Sequence, residues 1–141
     1  MSYLLGTNVL SELRKRSVDP GVAAWFDTTA SMDLFRSVLV IGEIRQGIER
    51  LRGRDPEQAD VFDRWLDALK RDFHDRILPL STPVAEAWGR LNARARLSTV
   101  DSLLAATAVV HGLTFVTRDT SKLEGTGVAL LNPWRNDDAS Q

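Results

Sequence analysis

Short apolar runs that read as buried strands alternate along this chain with longer stripes of helical period, and that alternation limits the architecture more than any other feature. Tyr3-Leu4-Leu5 is followed by Val9, Leu10 and Leu13; Leu34-Phe35-Arg36-Ser37-Val38 by Ile41, Ile44, Ile48 and Leu51; and Ile77-Leu78-Pro79-Leu80 by Val84, Trp88, Leu91 and Ala95. Apolar residues three and four apart mark the inner face of a helix, whereas brief β-branched and aromatic runs mark strands. Strands separated by helices pair in parallel through crossovers. The pattern therefore predicts an α/β three-layer sandwich, a mostly parallel sheet of about five strands with helices on both faces.

Local chemistry sets the element boundaries. Thr7 or Asn8 is placed to cap the first helix, and Asp19-Pro20 and Asp55-Pro56 each supply a capping acid followed by a proline whose missing N–H costs nothing at a helix start. The helix after Asp55 carries Val61, Phe62, Trp65, Leu66, Leu69 and Phe73, and should pair antiparallel with the helix before it. Thr82-Pro83 and Thr99 are read as the caps of two more helices. The second, Val100-Asp101-Ser102-Leu103-Leu104-Ala105-Ala106-Thr107-Ala108-Val109-Val110, is apolar nearly all round, so it belongs against the sheet, with Gly112 to end it. Thr114–Thr117 and Val128–Leu131 read as the last strands, closed by Pro133.

At 141 residues the chain is expected to be one domain over residues 1–134, with a polar, frayed tail over 135–141. Its 18 basic and 19 acidic residues nearly cancel, so a nucleic-acid partner would have to be met by a local patch. The absence of cysteine excludes thiol catalysis and zinc–thiolate sites. No apolar run approaches the length of a membrane span and no signal peptide is evident, so the expected location is the cytoplasm. Ser11, Ser37 and Ser102 lack the nucleophile-elbow pattern, and His111, just before Gly112, suits a helix end. The four tryptophans sit mostly on apolar faces and read as packing.

Three acids fall where a strand-edge crevice could use them: Glu43 near a helix start, Asp101 at the N-terminal end of the buried helix, and Asp119 just after a strand. Each also has a plainer reading. Glu43 could pair with Arg45 or Arg50, Asp101 could favour the helix dipole, and Asp119 could serve a turn beside Thr120. Gly6, where the first strand meets its helix, could simply make a tight turn.

The segment Leu4-Leu5-Gly6-Thr7-Asn8 resembles the first motif of the PIN-domain nucleases, in which a strand ends in Asp-Thr-Asn or Asp-Ser-Asn. Ser37-Val38-Leu39-Val40-Ile41-Gly42-Glu43-Ile44 is similar to the second acidic segment, Val100–Ala108 to the third, and Thr117-Arg118-Asp119 to the fourth. Four motifs in order resemble the VapC group of bacterial toxins and the related FitB proteins. The resemblance implies a type II toxin that cleaves RNA phosphodiester bonds with Mg²⁺ or Mn²⁺, and is neutralised by an antitoxin encoded beside it.

By the same resemblance Glu43, Asp101 and Asp119 would be metal ligands and catalytic, while Thr7, Asn8, Thr117 and Arg118 would support the site or the substrate. Gly6 would stand where the family has its first metal-binding Asp. An impaired enzyme is expected because a direct metal ligand would be missing, the change being natural or introduced to let a host survive production of the chain. Implied partners are the antitoxin, a second copy of the chain, and an RNA such as tRNA or ribosomal RNA. The competing expectation is a noncatalytic interaction protein of the same fold that binds antitoxin or RNA without cutting. A receiver-like protein would need an acid at the end of a middle strand, and Leu78-Pro79-Leu80-Ser81 offers none.

Overall fold

The structure is a computed structural model and describes residues 1–94 and 96–134. Among these, five parallel strands and six α-helices alternate as expected. In chain order they are β1 (Tyr3–Leu5), α1 (Thr7–Leu13), α2 (Pro20–Asp27), β2 (Leu34–Ser37), α3 (Val38–Arg52), α4 (Pro56–Asp72), β3 (Ile77–Leu78), α5 (Thr82–Arg94), α6 (Thr99–His111), β4 (Thr114–Val116) and β5 (Leu130–Leu131). The order across the sheet is β3-β2-β1-β4-β5, every pair parallel.

The chain steps outward from β1 through β2 to β3, then crosses back to β4 and β5. Right-handed crossovers place α1–α4 on one face and α5 and α6 on the other. The helix contacts agree: α3 packs on α4, α1 touches α2 and α3, and α5 packs on α6. Arg45 reaches Asp63 while Arg52 reaches Asp60, so sequence number falls along α4 as it rises along α3 and the pair is antiparallel. β1 is the point at which the strand order reverses, and its carboxyl end opens the crevice such sheets use for ligands.

Leu4, Leu5, Leu34, Phe115 and Val116 are buried in the sheet; Val9, Leu10, Val40, Ile48 and Leu66 cover one side, and Leu104, Ala105 and Ala108 belong to α6. The alanines let α6 lie close to β1 and β4. Its two ends are wet, with Thr99 exposed at the start and Val109 and Val110 in the last turn. Gly112 closes α6 at φ 66°, a left-handed conformation that glycine takes without a Cβ penalty.

Several boundaries differ from expectation. The acid–proline starts hold: Asp19 accepts from the N–H groups of Gly21 and Val22, and Asp55 from that of Gln58. The hydroxyl starts shift by one residue, because Ser98 rather than Thr99 accepts from Asp101 N–H, and Ser81 rather than Thr82 receives Val84 N–H. Gly6, not Thr7 or Asn8, is the cap residue of α1 and offers no side-chain bond. β3 stops at Leu78 before Pro79, which has no N–H for the ladder, and β5 is only Leu130–Leu131. Val38 begins α3 instead of ending β2, and Val61 on α4 is exposed. Ala95 and the tail over 135–141 lie outside the described residues. Among the described residues no helix is long and apolar enough to cross a membrane.

Candidate active site

The carboxyl ends of β1 and β4, with the second turn of α3 and the first turn of α6, enclose a cleft of about 560 Å³ lined by Gly6, Thr7, Asn8, Glu43, Asp101, Thr117 and Asp119 among others. Of the eight positions singled out from sequence, seven line this one cleft. Each arrives by a different route. Gly6 to Asn8 follow β1, and Ser37 ends β2 by accepting Leu39 N–H, which starts α3 and sets Glu43 in its second turn. Ser98 caps α6 and leaves Asp101 in its first turn, and Asp119 heads a short 3-10 turn just past β4.

Hydrogen bonds tie the motifs together. The Thr7 hydroxyl donates to Glu43 Oε1, so the first and second motifs meet directly. Asn8 Nδ2 donates to Thr117 Oγ1 at 3.4 Å, and the same hydroxyl accepts Asp119 N–H at 3.2 Å, which joins the first motif to the fourth. The two side chains expected to cap α1 are thus drawn into the cleft. Asn8 Oδ1 is buried and finds no hydrogen-bond partner. Glu43 does not take the surface pairing it could have had, since Arg45 is bound by Glu49 and Asp63.

Arg118 departs from expectation. Its guanidinium lies 5.0 Å from the centroid of the Trp134 ring, and it does not line the cleft. Trp134 therefore serves as a platform for an exposed cation. Ser11, Ser98 and Lys122 line the cleft and were not read as site residues from sequence. Ser11 lies four residues after Thr7, one turn along the same helix face, and that spacing could have found it. Ser98 was hidden by the choice of Thr99 as cap, and Lys122 sits in a 3-10 turn without sequence signal.

Gly6 is extended (φ −75°, ψ 163°), so its backbone would accept any L residue. A Cβ there would lie 3.0 Å from Val116 O, 3.3 Å from Phe115 Cε1 and 3.4 Å from Asn8 Oδ1. The turn does not itself demand glycine.

The PIN domain family profile matches residues 3–125, most of the chain. The chain belongs to the PIN-domain family. This PIN domain is 32% identical to Toxin FitB of Neisseria gonorrhoeae across 94% of its own length and 99% of the relative's. It is 33% identical to VapC ribonuclease Y4jK of Sinorhizobium fredii across 93% and 96%. Among solved structures, FitAB bound to the IR36 DNA fragment superposes with a TM-score of 0.86 at 31% identity, covering 94% of this PIN domain and 95% of that chain. VapBC2 of Rickettsia felis, at 21% identity and a TM-score of 0.72, shares the fold.

The donors in this PIN-domain cleft are carboxylate, hydroxyl and amide oxygens, the kind that hard divalent cations take. The unpartnered Asn8 Oδ1 belongs to the same class. They fit such a cation in kind but fall short in number. Among the described residues, no three Asp, Glu or His side chains draw together as a cation cage.

Proposed function

We propose that this chain is the toxin of a type II toxin–antitoxin pair, a Mg²⁺- or Mn²⁺-dependent endoribonuclease whose activity is lowered by Gly6 standing in place of a metal-binding Asp. The observation that carries the reading is the convergence of Glu43, Asp101 and Asp119 with Gly6, Thr7, Asn8 and Thr117 on one cleft at the carboxyl edge of the sheet. One relative named as a ribonuclease and one named as a toxin, each matching nearly the whole chain, support the reading.

Hydrolysis of a phosphodiester needs a strong nucleophile and relief of charge on the phosphate and leaving oxygen; a bound Mg²⁺ or Mn²⁺ supplies both. Glu43, Asp101 and Asp119 would hold it. Thr7 fixes the Glu43 carboxylate by its hydrogen bond, so that one oxygen stays available to orient water. Asn8 and Asp119 are held through the Thr117 hydroxyl, which sets the opposite wall. Lys122, on the same cleft, offsets acidic charge and can meet a phosphate. Arg118, outside the cleft, is left with a supporting role at most.

In this reading residues 1–134 act as one domain in the cytoplasm. The partners are a protein antitoxin, a second copy of the chain, and RNA, with tRNA or ribosomal RNA the expected substrate. Solved relatives that are toxin–antitoxin complexes, some holding DNA, support the protein partner. One observation favours a second reading, a noncatalytic PIN-fold protein that binds antitoxin or RNA: the described acids do not gather into a cation cage. RNA cleavage by the native chain and by Gly6→Asp, each with Mn²⁺, separates the two. The nuclease reading expects cutting by Gly6→Asp at least about 100-fold faster than by the native chain, as loss of a direct metal ligand requires. No cutting by either protein rejects it.

A further inference from the structure

A second groove, of about 290 Å³, shares Thr7, Ser11 and Glu43 with the acidic cleft and continues away from it between α1, α3 and α4. Two helical stripes form its walls. On α1, Thr7 and Ser11 lie one turn apart, and Arg14 follows as the C-cap at helical spacing, about 10 Å along the axis from Thr7. On α3, Glu43, Gly47 and Leu51 recur every four residues, and Arg54 follows where the helix ends, its N–H bound to Leu51 O. Each wall thus runs from the acidic cleft to an arginine.

These two arginines line the groove and differ from Arg45 and Arg52 on the same side of the sheet. Arg45 and Arg52 are engaged by Glu49, Asp60 and Asp63 across the α3–α4 seam. Among the described residues Arg14 and Arg54 make no ion pair. The Arg14 guanidinium is instead held 4.0 Å over the Phe62 ring and 5.8 Å from that of Trp65, which fixes its direction without neutralising its charge. Gly47 adds an independent sign. A glycine inside a helix lowers its stability relative to alanine, and packing does not require this one, since a Cβ would meet no atom within 4 Å. Its missing side chain leaves the groove open.

We propose that this groove is the track of the RNA strand beside the scissile bond, with Arg14 and Arg54 holding backbone phosphates and Gly47 giving the strand room. The assignment rests on the ribonuclease reading above and adds to it the residues that admit the substrate. A polyanion approaching Glu43, Asp101 and Asp119 meets repulsion, and fixed cations beside the cleft offset it. Planar guanidinium groups suit phosphate oxygens, and stacking on a ring keeps their donors oriented.

The test is fluorescence anisotropy with end-labelled, deacylated total tRNA and Mg²⁺, in the native Gly6 background where cutting is slow. Arg14→Gln and Arg54→Gln should each weaken binding about 10-fold, and together lower the slope of log affinity against log salt by about 1.4, two single-strand phosphate contacts. Gly47→Leu should weaken binding about 10-fold while its melting temperature holds or rises, an opposition that a merely structural role would not give. Native protein that binds tRNA while all three variants match it in affinity and salt slope overturns the track and leaves the ribonuclease reading standing. Variants that bind tRNA normally but lose the antitoxin assign the groove to protein and overturn it too. If neither the native chain nor Gly6→Asp binds RNA, the ribonuclease reading fails and the track with it.

Discussion

Aspartate at position 6 should make the stability of this protein depend on a divalent cation, and the size of the effect follows from the site. The backbone there is already extended, so no dihedral strain arises. The new Cβ would sit 3.0 Å from Val116 O, the acceptor of the Gly6 N–H, and β1 and β4 must part by a few tenths of an ångström. Such overpacking costs about 1 kcal/mol. A carboxylate about 5 Å from a neighbouring acid, at an effective dielectric of about 20, adds about 3 kcal/mol of repulsion. Restricting the unfolded chain returns about 0.5 to 1 kcal/mol. Without metal, Gly6→Asp is thus about 3 kcal/mol less stable. For 141 residues at about 2.1 cal/mol/K each, 1 kcal/mol moves the melting temperature by about 3 °C, so the loss is about 10 °C. Mn²⁺ at about 100 times its Kd stabilises by about 2.7 kcal/mol, a recovery of about 9 °C. Gly6→Asn is the control, because it carries the steric load and the same restriction of the unfolded chain without the charge, and should lose at most about 0.5 kcal/mol with little response to Mn²⁺. Thermal melts of the native chain and both variants, with and without Mn²⁺, measure all of this. Equal losses in the two variants, with neither recovering in Mn²⁺, would refute a cation site at residue 6.

Other expectations can be checked by the same melts. Arg36 is only 3% exposed, its Nε has no partner, and burial beside Arg76 pushes its pKa down to about 10. Between pH about 10 and the ordinary guanidinium value above it the unfolded state binds the extra proton, so this group makes stability rise with pH across that window. Arg36→Met should stabilise by about 1 to 3 kcal/mol at neutral pH and flatten the rise; a destabilised variant would show that stacking on Phe73 outweighs the buried charge. Ser102→Ala should cost about 1 to 3 kcal/mol, since it strands the Trp88 indole N–H now bound to Ser102 Oγ at 2.9 Å, and an unchanged melt would contradict that. Gly21→Ala would bring a Cβ within 2.5 Å of Pro133 O and should cost about 1 to 3 kcal/mol, whereas a neutral result would mean the last turn near Pro133 yields freely.

Much of the fold was legible because period and position agree. The acid–proline pairs fixed the starts of α2 and α4, and Gly112 fixed the end of α6, each through one local mechanism. Where two adjacent hydroxyls could cap, as with Ser98 and Thr99, tertiary placement chose between them. Thr7 and Asn8 look like caps in sequence because their partners, Glu43 and Thr117, are distant along the chain. The acids at the cleft could be anticipated from their places at the ends of strands and the starts of helices. Arg118 could not be separated from its neighbours, since only the position of Trp134 reveals where its side chain goes. The groove beyond Thr7 was likewise invisible, because it depends on how α1 lies against α3.

The strand order also governs when this cleft can exist during synthesis. Asn8 and Thr117 are 109 positions apart, yet they face each other because β4 completes one side of β1. Until β4 has left the ribosome, β1 has a bare edge, and Thr117 and Asp119 are missing from the wall opposite Glu43. A nascent chain that still lacks β4 and Asp119 therefore carries half a cleft, and whatever the cleft does begins only once those residues have joined the sheet.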